Sequence, residues 1–225
     1  MKYPGEELEI FDKATFWRKY IYSITKKYFK DDLLEVGAGI GSFTSNYLNN
    51  YQKIFISDLD DKNIDILKNK FSQNKNIIIK KSGIREINKK FNTIIYLNVL
   101  EHIKDDMDEI KFALNKLNVG GHLIILVPAH QSLFTKFDEA VGHHRRYNIS
   151  FFKLNKFENT EIKKLIFLDF FGYILYFFNK IFFKEEIYPS KFKIFLWDKI
   201  FSPITILLDF ITRYKFEKNI LCIYK

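Results

Sequence analysis

Leu33-Leu34-Glu35-Val36-Gly37-Ala38-Gly39-Ile40-Gly41 decides the reading of this chain. An apolar pair leads into an acid and then into three glycines at alternate positions. Glycine lets a backbone turn sharply and leaves no side chain between the turn and a ligand. The stretch therefore predicts a buried strand, a tight turn and a helix start, the arrangement that places a nucleotide-like ligand at the carboxyl end of a first strand. A dinucleotide fingerprint needs its third Gly or Ala one place later than Gly41, where Ser42 stands. Glu35 is also a poor neighbour for a pyrophosphate and a good one for a cationic amino group.

Three further landmarks follow in order. Lys53-Ile54-Phe55-Ile56-Ser57-Asp58 predicts a second strand ending in an acid, which suits ribose hydroxyls. Residues 91–103, with Asn98-Val99-Leu100-Glu101-His102, predict a fourth strand and the start of its helix. Val119-Gly120-Gly121 turns into a fifth strand ending at Pro128. This succession resembles the class I S-adenosylmethionine-dependent methyltransferases. The resemblance implies one domain over 1–225 with a Rossmann-like, seven-stranded, mostly parallel sheet of order 3-2-1-4-5-7-6. It also implies an antiparallel seventh strand and helices on both faces.

Around these landmarks the chain alternates strands and helices, as a parallel sheet requires. Strands are expected at 33–36, 53–57, 77–80, 93–97, 121–127, 165–168 and 219–224. Helices are expected near 41–49, 62–71 and 106–117. Residues 11–29 keep Phe11, Ala14, Trp17, Ile21, Ile24 and Tyr28 on one helical face, making 1–30 a cap beside the first strand. After Pro128 a long polar loop is expected over 129–149, and four of the five histidines lie between 122 and 144. Fifteen of the 25 phenylalanines fall after residue 150. Residues 169–216 read as an aromatic-rich helical insertion between the last two strands. Within it, a helix over 191–213 carries one narrow polar stripe, Asp198, Ser202, Thr205, Asp209 and Thr212, with Pro203 expected to kink it. Asp169, Gly172 and Asn179 interrupt the earlier apolar stretch, so a span of ~20 apolar residues is absent. Two readings of the insertion stand: a lid buried on the domain, or a surface that docks on a membrane.

Composition excludes other classes. A chain of 225 residues that is 47% hydrophobic and 28% charged forms a core and is not disordered. One cysteine, Cys222, rules out an internal disulfide framework and a multi-cysteine metal site. The first residues are polar and charged without an apolar signal core, so the expected location is cytoplasmic, peripheral to the inner face of the membrane if the insertion docks there. The net charge of +9 fits nucleic acid, an anionic membrane or an acidic substrate, or simply reflects a lysine-rich composition.

The second half narrows the resemblance. Val127-Pro128-Ala129-His130 and Asp138-Glu139-Ala140-Val141-Gly142-His143-His144-Arg145-Arg146-Tyr147 are similar to a bacterial and archaeal subgroup with a D-x-A-x-G-H-x-R-R-Y loop after the fifth strand. Members of that subgroup often accompany family 2 glycosyltransferases. The resemblance implies S-adenosylmethionine as cofactor, held by Glu35, Gly37, Ala38, Gly39, Gly41, Asp58, Leu59, Ser82, Gly83 and Asn98. Glu35 would meet the ammonium, Asp58 the ribose hydroxyls, and Asn98 the methionine part. Ser82-Gly83 stands where many relatives have an acid, leaving the adenine contact to Ser82 or to backbone. His143 is the expected base, oriented by Asp138, with His130 as second choice; the alternative is that the loop is fixed by its own hydrogen bonds. Arg145, Arg146 and Tyr147 are expected at the substrate, or the arginines pair with Asp138 and Glu139. Asn98 replaces the first carboxylate of the Glu-x-x-Glu-His metal set of a related RNA-methylating group, so no metal is expected. The implied reaction is O-methylation of a small molecule or glycan, including lipid-linked intermediates. N-methylation of a small amine, or a non-catalytic cofactor-binding partner of a membrane glycosyltransferase, are the alternatives. Nucleic acid as substrate lacks an Asn/Asp-Pro-Pro-Tyr-type motif.

Overall fold

The computed structural model describes residues 6–182, 188–215 and 217–225. The strands are β1 Leu33–Val36, β2 Ile54–Asp58, β3 Ile77–Lys81, β4 Phe91–Leu97, β5 Leu117–Pro128, β6 Ile162–Leu168 and β7 Asn219–Tyr224. The helices are α1 Glu6–Phe11, α2 Thr15–Thr25, α3 Asp61–Lys70, α4 Asp106–Asn115, α5 Lys136–Ala140, α6 Ile149–Leu154, α7 Phe170–Phe182, α8 Lys191–Leu196 and α9 Ser202–Ile211. The strands form one sheet of order β3-β2-β1-β4-β5-β7-β6. β7 runs antiparallel to both β5 and β6, and the other pairings are parallel. Both the order and the direction match the sequence expectation.

Side chains alternate across the sheet, as the period of a strand demands. Leu33, Ile95 and Ile124 join one core with Trp17 and Ile21 of α2. Their neighbours Leu34, Ile94 and Ile125 join the core on the other face with Ile110 and Ala113 of α4. Every residue of β1 is buried, as a central strand covered on both faces requires.

Four local expectations change. Residues 41–49 carry only a short 3-10 turn, Thr44–Asn46. Ser45 Oγ donates to the Gly41 carbonyl and Asn46 Nδ2 to that of Phe43, and such local bonds compete with a regular helix. The helix expected over 11–29 is broken between α1 and α2, and its N-terminal neighbour α1 lies over the glycine turn. The loop over 129–149 holds α5 and ends in α6. In the helix over 191–213, a π-helical turn at Trp197–Phe201 precedes Pro203, so the backbone widens ahead of the residue that lacks an N–H. The first five residues of the expected cap, and residues 183–187 and 216 of the expected insertion, lie outside the described residues.

Candidate active site

The site lies at the carboxyl ends of β1, β2 and β4, where an open sheet reverses its winding order. Gly37, Gly39 and Gly41 all have positive φ, at 66°, 56° and 72°. A Cβ on Gly37 would lie 2.7 Å from the Val99 side chain, and one on Gly41 would lie 2.5 Å from the ring of Phe71. Any other residue at these two positions is therefore strained in backbone conformation and crowded by a neighbouring side chain. Gly39 faces Leu8 of α1, whose methyl carbon lies 3.3 Å from a built Cβ. α1 thus reaches the glycine turn. Ala38 N–H donates to the Ser57 carbonyl at 2.9 Å, tying the turn to β2.

Asp58 closes the other side. Its Oδ2 accepts from Gly39 N–H at 2.8 Å, and its Oδ1 accepts from Asp60 N–H at 2.9 Å and Asn63 Nδ2 at 3.2 Å. Three of the roughly four acceptor directions of a carboxylate are filled, leaving one on Oδ2. The cap of α3 is Asp60, which accepts from the N–H groups of Lys62 and Asn63. Leu59 stands out into solvent beside Asp58 at 70% exposure. Ser82 Oγ, at the end of β3, is buried without a hydrogen-bond partner, and the space where a Cβ of Gly83 would stand is open. Asn98 is exposed in the left-handed conformation with φ 53°, and its N–H donates to the Leu126 carbonyl. Asparagine is one of the few residues that tolerates this turn.

Glu35 lies beneath the turn. Its Oε2 accepts from Thr44 Oγ1 at 2.7 Å and from the Tyr47 hydroxyl, both buried. Burial pushes its carboxyl up to about 7, against the pull of those two bonds. The side chain braces the turn from beneath.

The loop after β5 assembles around Asp138. Its Oδ1 meets His143 Nδ1 at 2.8 Å, and Arg146 grips both oxygens, Nε on Oδ1 at 2.8 Å and Nη2 on Oδ2 at 3.0 Å. The Thr135 N–H and the Tyr176 hydroxyl also donate to Oδ2, the first closing a capping box at α5. Burial works to raise the Asp138 pKa, but the bonds from His143 and Arg146 prevail and hold it well below the usual range. Ionised Asp138 accepts a hydrogen bond from the protonated Nδ1 and so leaves the lone pair of His143 on Nε2.

That Nε2 faces Glu101 Oε1 at 3.9 Å. Glu101 is fully buried, both its oxygens lack hydrogen-bond partners, and burial lifts its carboxyl to about 8. His102 stacks edge-on against His143 with ring centroids 4.7 Å apart, and burial together with the neighbouring His143 lowers its pKa to about 3. Glu101, His102 and His143 bring one donor atom each within 4.8 Å of one another, a set able to surround a cation. Sequence reading named Glu101 and His102 and missed their convergence with His143, because 41 residues and a strand separate them along the chain.

The other named residues have protein partners of their own. His130 has its ring stacked on Phe167 at 5.1 Å and its Nε2 bonded to the Glu217 carbonyl. Arg146 is held by Asp138, as one sequence reading allowed. Arg145 pairs with Asp106 at 3.2 Å and the Lys104 carbonyl, not with Glu139. The Tyr147 hydroxyl donates to Asp106 Oδ2 at 2.8 Å in the core. These bonds tie Arg145, Arg146 and Tyr147 into the frame of the loop.

Comparison with known proteins agrees with this geometry. The family model described as a methyltransferase domain matches residues 15–163. A probable ribosomal RNA small subunit methyltransferase A of Methanococcoides burtonii is 33% identical over 67 residues, which cover 29% of this chain and only 25% of that protein. An S-adenosylmethionine-dependent methyltransferase from Clostridium acetobutylicum superposes with TM-score 0.61 at 17% identity, covering 98% of this chain and 97% of the other. Coclaurine N-methyltransferase superposes with TM-score 0.64 at 12% identity, over 95% and 73%. Likeness at these identities is likeness of fold, and the family model carries the assignment: the chain belongs to the methyltransferase domain family and folds as a class I S-adenosylmethionine-dependent methyltransferase.

Proposed function

We propose that this chain transfers a methyl group from S-adenosylmethionine to an oxygen of a small molecule or glycan. One observation carries the reading. A glycine turn closed to side chains by Val99 and Phe71 is locked to Asp58, on the same rim that carries Asn98 and, four residues on, the cluster of Glu101, His102 and His143. The residues present fit an adenosine-bearing donor. Ser82 Oγ is a buried polar group awaiting a partner, Gly83 opens onto free space, Leu59 offers an apolar wall, and Asp58 retains one acceptor direction for a ribose hydroxyl.

Bound there, the donor supplies a sulfonium methyl group with a good leaving group already attached. The protein's contribution is alignment, which can lower a barrier by roughly 7–11 kcal/mol. His143 accepts the hydroxyl proton at Nε2. Asp138 holds the ring in that tautomer and stabilises the charge it gains, while Arg146 fixes Asp138. The glycan class rests on the resemblance of the 138–147 loop to the subgroup that accompanies glycosyltransferases. An amine acceptor uses the same donor site and depends less on His143.

Calorimetric titration with S-adenosylmethionine and its demethylated product tests the first half. Both are expected to bind, and Asp58→Ala to abolish binding. A chain that binds neither overturns the reading. A methyl-release assay over nucleotide sugars, polyprenyl-linked sugars and amines then separates oxygen from nitrogen acceptors. Donor binding without turnover on any of them favours a non-catalytic partner.

A further inference from the structure

The last helices are amphipathic in the reverse sense. On the rod formed by α8, the π-helical turn and α9, the polar stripe Asp198, Ser202, Thr205 and Asp209 is fully buried. Asp198 accepts from the N–H groups of Phe16 and Trp17 at 3.1 and 2.8 Å, satisfying the open first turn of α2. Asp209 does the same for Asp169 and Phe170 at the start of α7, at 3.1 and 2.9 Å, and also accepts from the Tyr20 hydroxyl. With its polar stripe turned inward, the rod must turn its apolar face outward.

That face is continuous. Phe192, Phe195, Ile200, Ile204, Leu207 and Ile211 recur at helical spacing, with the extra residue of the π-helical turn falling between Phe195 and Ile200. Exposure reaches 67% at Phe192, 60% at Leu207 and 71% at Phe210. α7 packs beside α9, stacks its Phe171 on Phe201 of the π-helical turn and adds Phe177 and Ile181, 44% and 47% exposed. Of the 16 large apolar residues that stand exposed among the described residues, 11 lie between 177 and 211, so the patch is a property of this region and not of the surface at large.

We propose that this face docks on the surface of an anionic lipid bilayer. Its charge selects that occupant. Lys191 at the start of the rod and Arg213 and Lys215 just past its end are exposed, whereas the only acids among the described residues of 188–215, Asp198 and Asp209, are buried. A second copy packed two-fold on the same face would oppose these cations to one another; anionic headgroups neutralise them. Among the described residues no helix is long and apolar enough to cross a membrane, so the rod lies along the interface. The surface reaches the candidate active site through α7, whose Tyr176 hydroxyl donates to Asp138 at 3.0 Å. Docking does not depend on the identity of the methyl acceptor.

The full chain is to be sedimented with vesicles of phosphatidylcholine alone and of equal parts phosphatidylcholine and phosphatidylglycerol. The wild type is expected to partition onto the anionic vesicles and to be released by salt. The triple variant Phe192→Ser, Leu207→Ser, Phe210→Ser should lose about tenfold or more of that partition while keeping the wild-type melting temperature. Lys191→Glu with Lys215→Glu should lose the preference for anionic over neutral vesicles. Wild-type protein that stays in the supernatant overturns the proposal. So does a concentration-dependent dimer, dissolved by the triple substitution and indifferent to vesicles, which would assign the face to a second copy.

Discussion

His143 Nδ1 lies 2.8 Å from Asp138 Oδ1, and the same carboxylate is clamped by Nε and Nη2 of the Arg146 guanidinium. The pair fixes which ring nitrogen carries the proton and which is left to react. His143→Ala is therefore expected to lower kcat by about 10²–10⁴-fold toward a hydroxyl acceptor, with the affinity for S-adenosylmethionine unchanged by calorimetry. A parallel loss of donor affinity would make His143 a structural residue of the loop.

Arg146 is 2% exposed on its side chain against a fully buried Asp138. Arg146→Met leaves that carboxylate without its cation, and stability should fall by about 3–5 kcal/mol in urea denaturation. Arg145, half-exposed against Asp106, should cost about 1 kcal/mol or less when replaced by Met.

The glycine turn allows a second-site test. Gly37→Ala forces a side chain into the left-handed region, at about 1–2 kcal/mol, and into Val99. Adding Val99→Ala removes the collision and leaves the conformational cost. Melting temperature and donor affinity should recover in part, and a double variant no better than Gly37→Ala would mean the contact is immaterial.

Glu101 gives stability a pH dependence of known sign. Burial raises its folded pKa to about 8, above its ordinary unfolded value, so the folded state holds the proton more tightly. Its contribution is full at acid pH and is lost as pH rises through the unfolded value toward about 8. Glu101→Gln should match the wild type near pH 4, below the unfolded value, and exceed it by on the order of a few kcal/mol near pH 9 in denaturation curves. An equal difference at both ends would mean that Glu101 is ionised in the folded protein.

The same residue decides a metal question. Asn98 stands where a further carboxylate would complete a hard-cation set, and Glu101 is held neutral near pH 7. Exhaustive treatment with a chelator is expected to leave turnover unchanged. Loss of activity, restored by manganese or zinc, would make Glu101, His102 and His143 ligands and remove His143 from the role of base.

Strand positions and the glycine turn were legible in the chain, because each signal is local, whereas the order of the strands in the sheet came from the family resemblance. Apolar runs, a glycine triplet and an acid at a strand end act within a few residues of one another. The antiparallel seventh strand came with the family resemblance. In the loop after β5 the pairing of Asp138 with His143 and with Arg146 was among the readings the residues allowed, but the partners of Arg145 and Tyr147 were not. Whether Arg145 reaches a ligand or Asp106 depends on how a distant helix packs against it.

By itself the sequence determined a doubly wound sheet and the nucleoside-shaped turn at its rim, since hydrophobic period and glycine conformation are written residue by residue. Tertiary structure alone decided that Glu35 braces the turn, that Glu101 meets His143, and that the polar stripe of the last rod faces inward. Each of those depends on which helix ends and buried donors lie opposite a carboxylate. Asp198 and Asp209 turn toward the N-termini of α2 and α7 because those open N–H groups need acceptors, and the phenylalanines are left facing out.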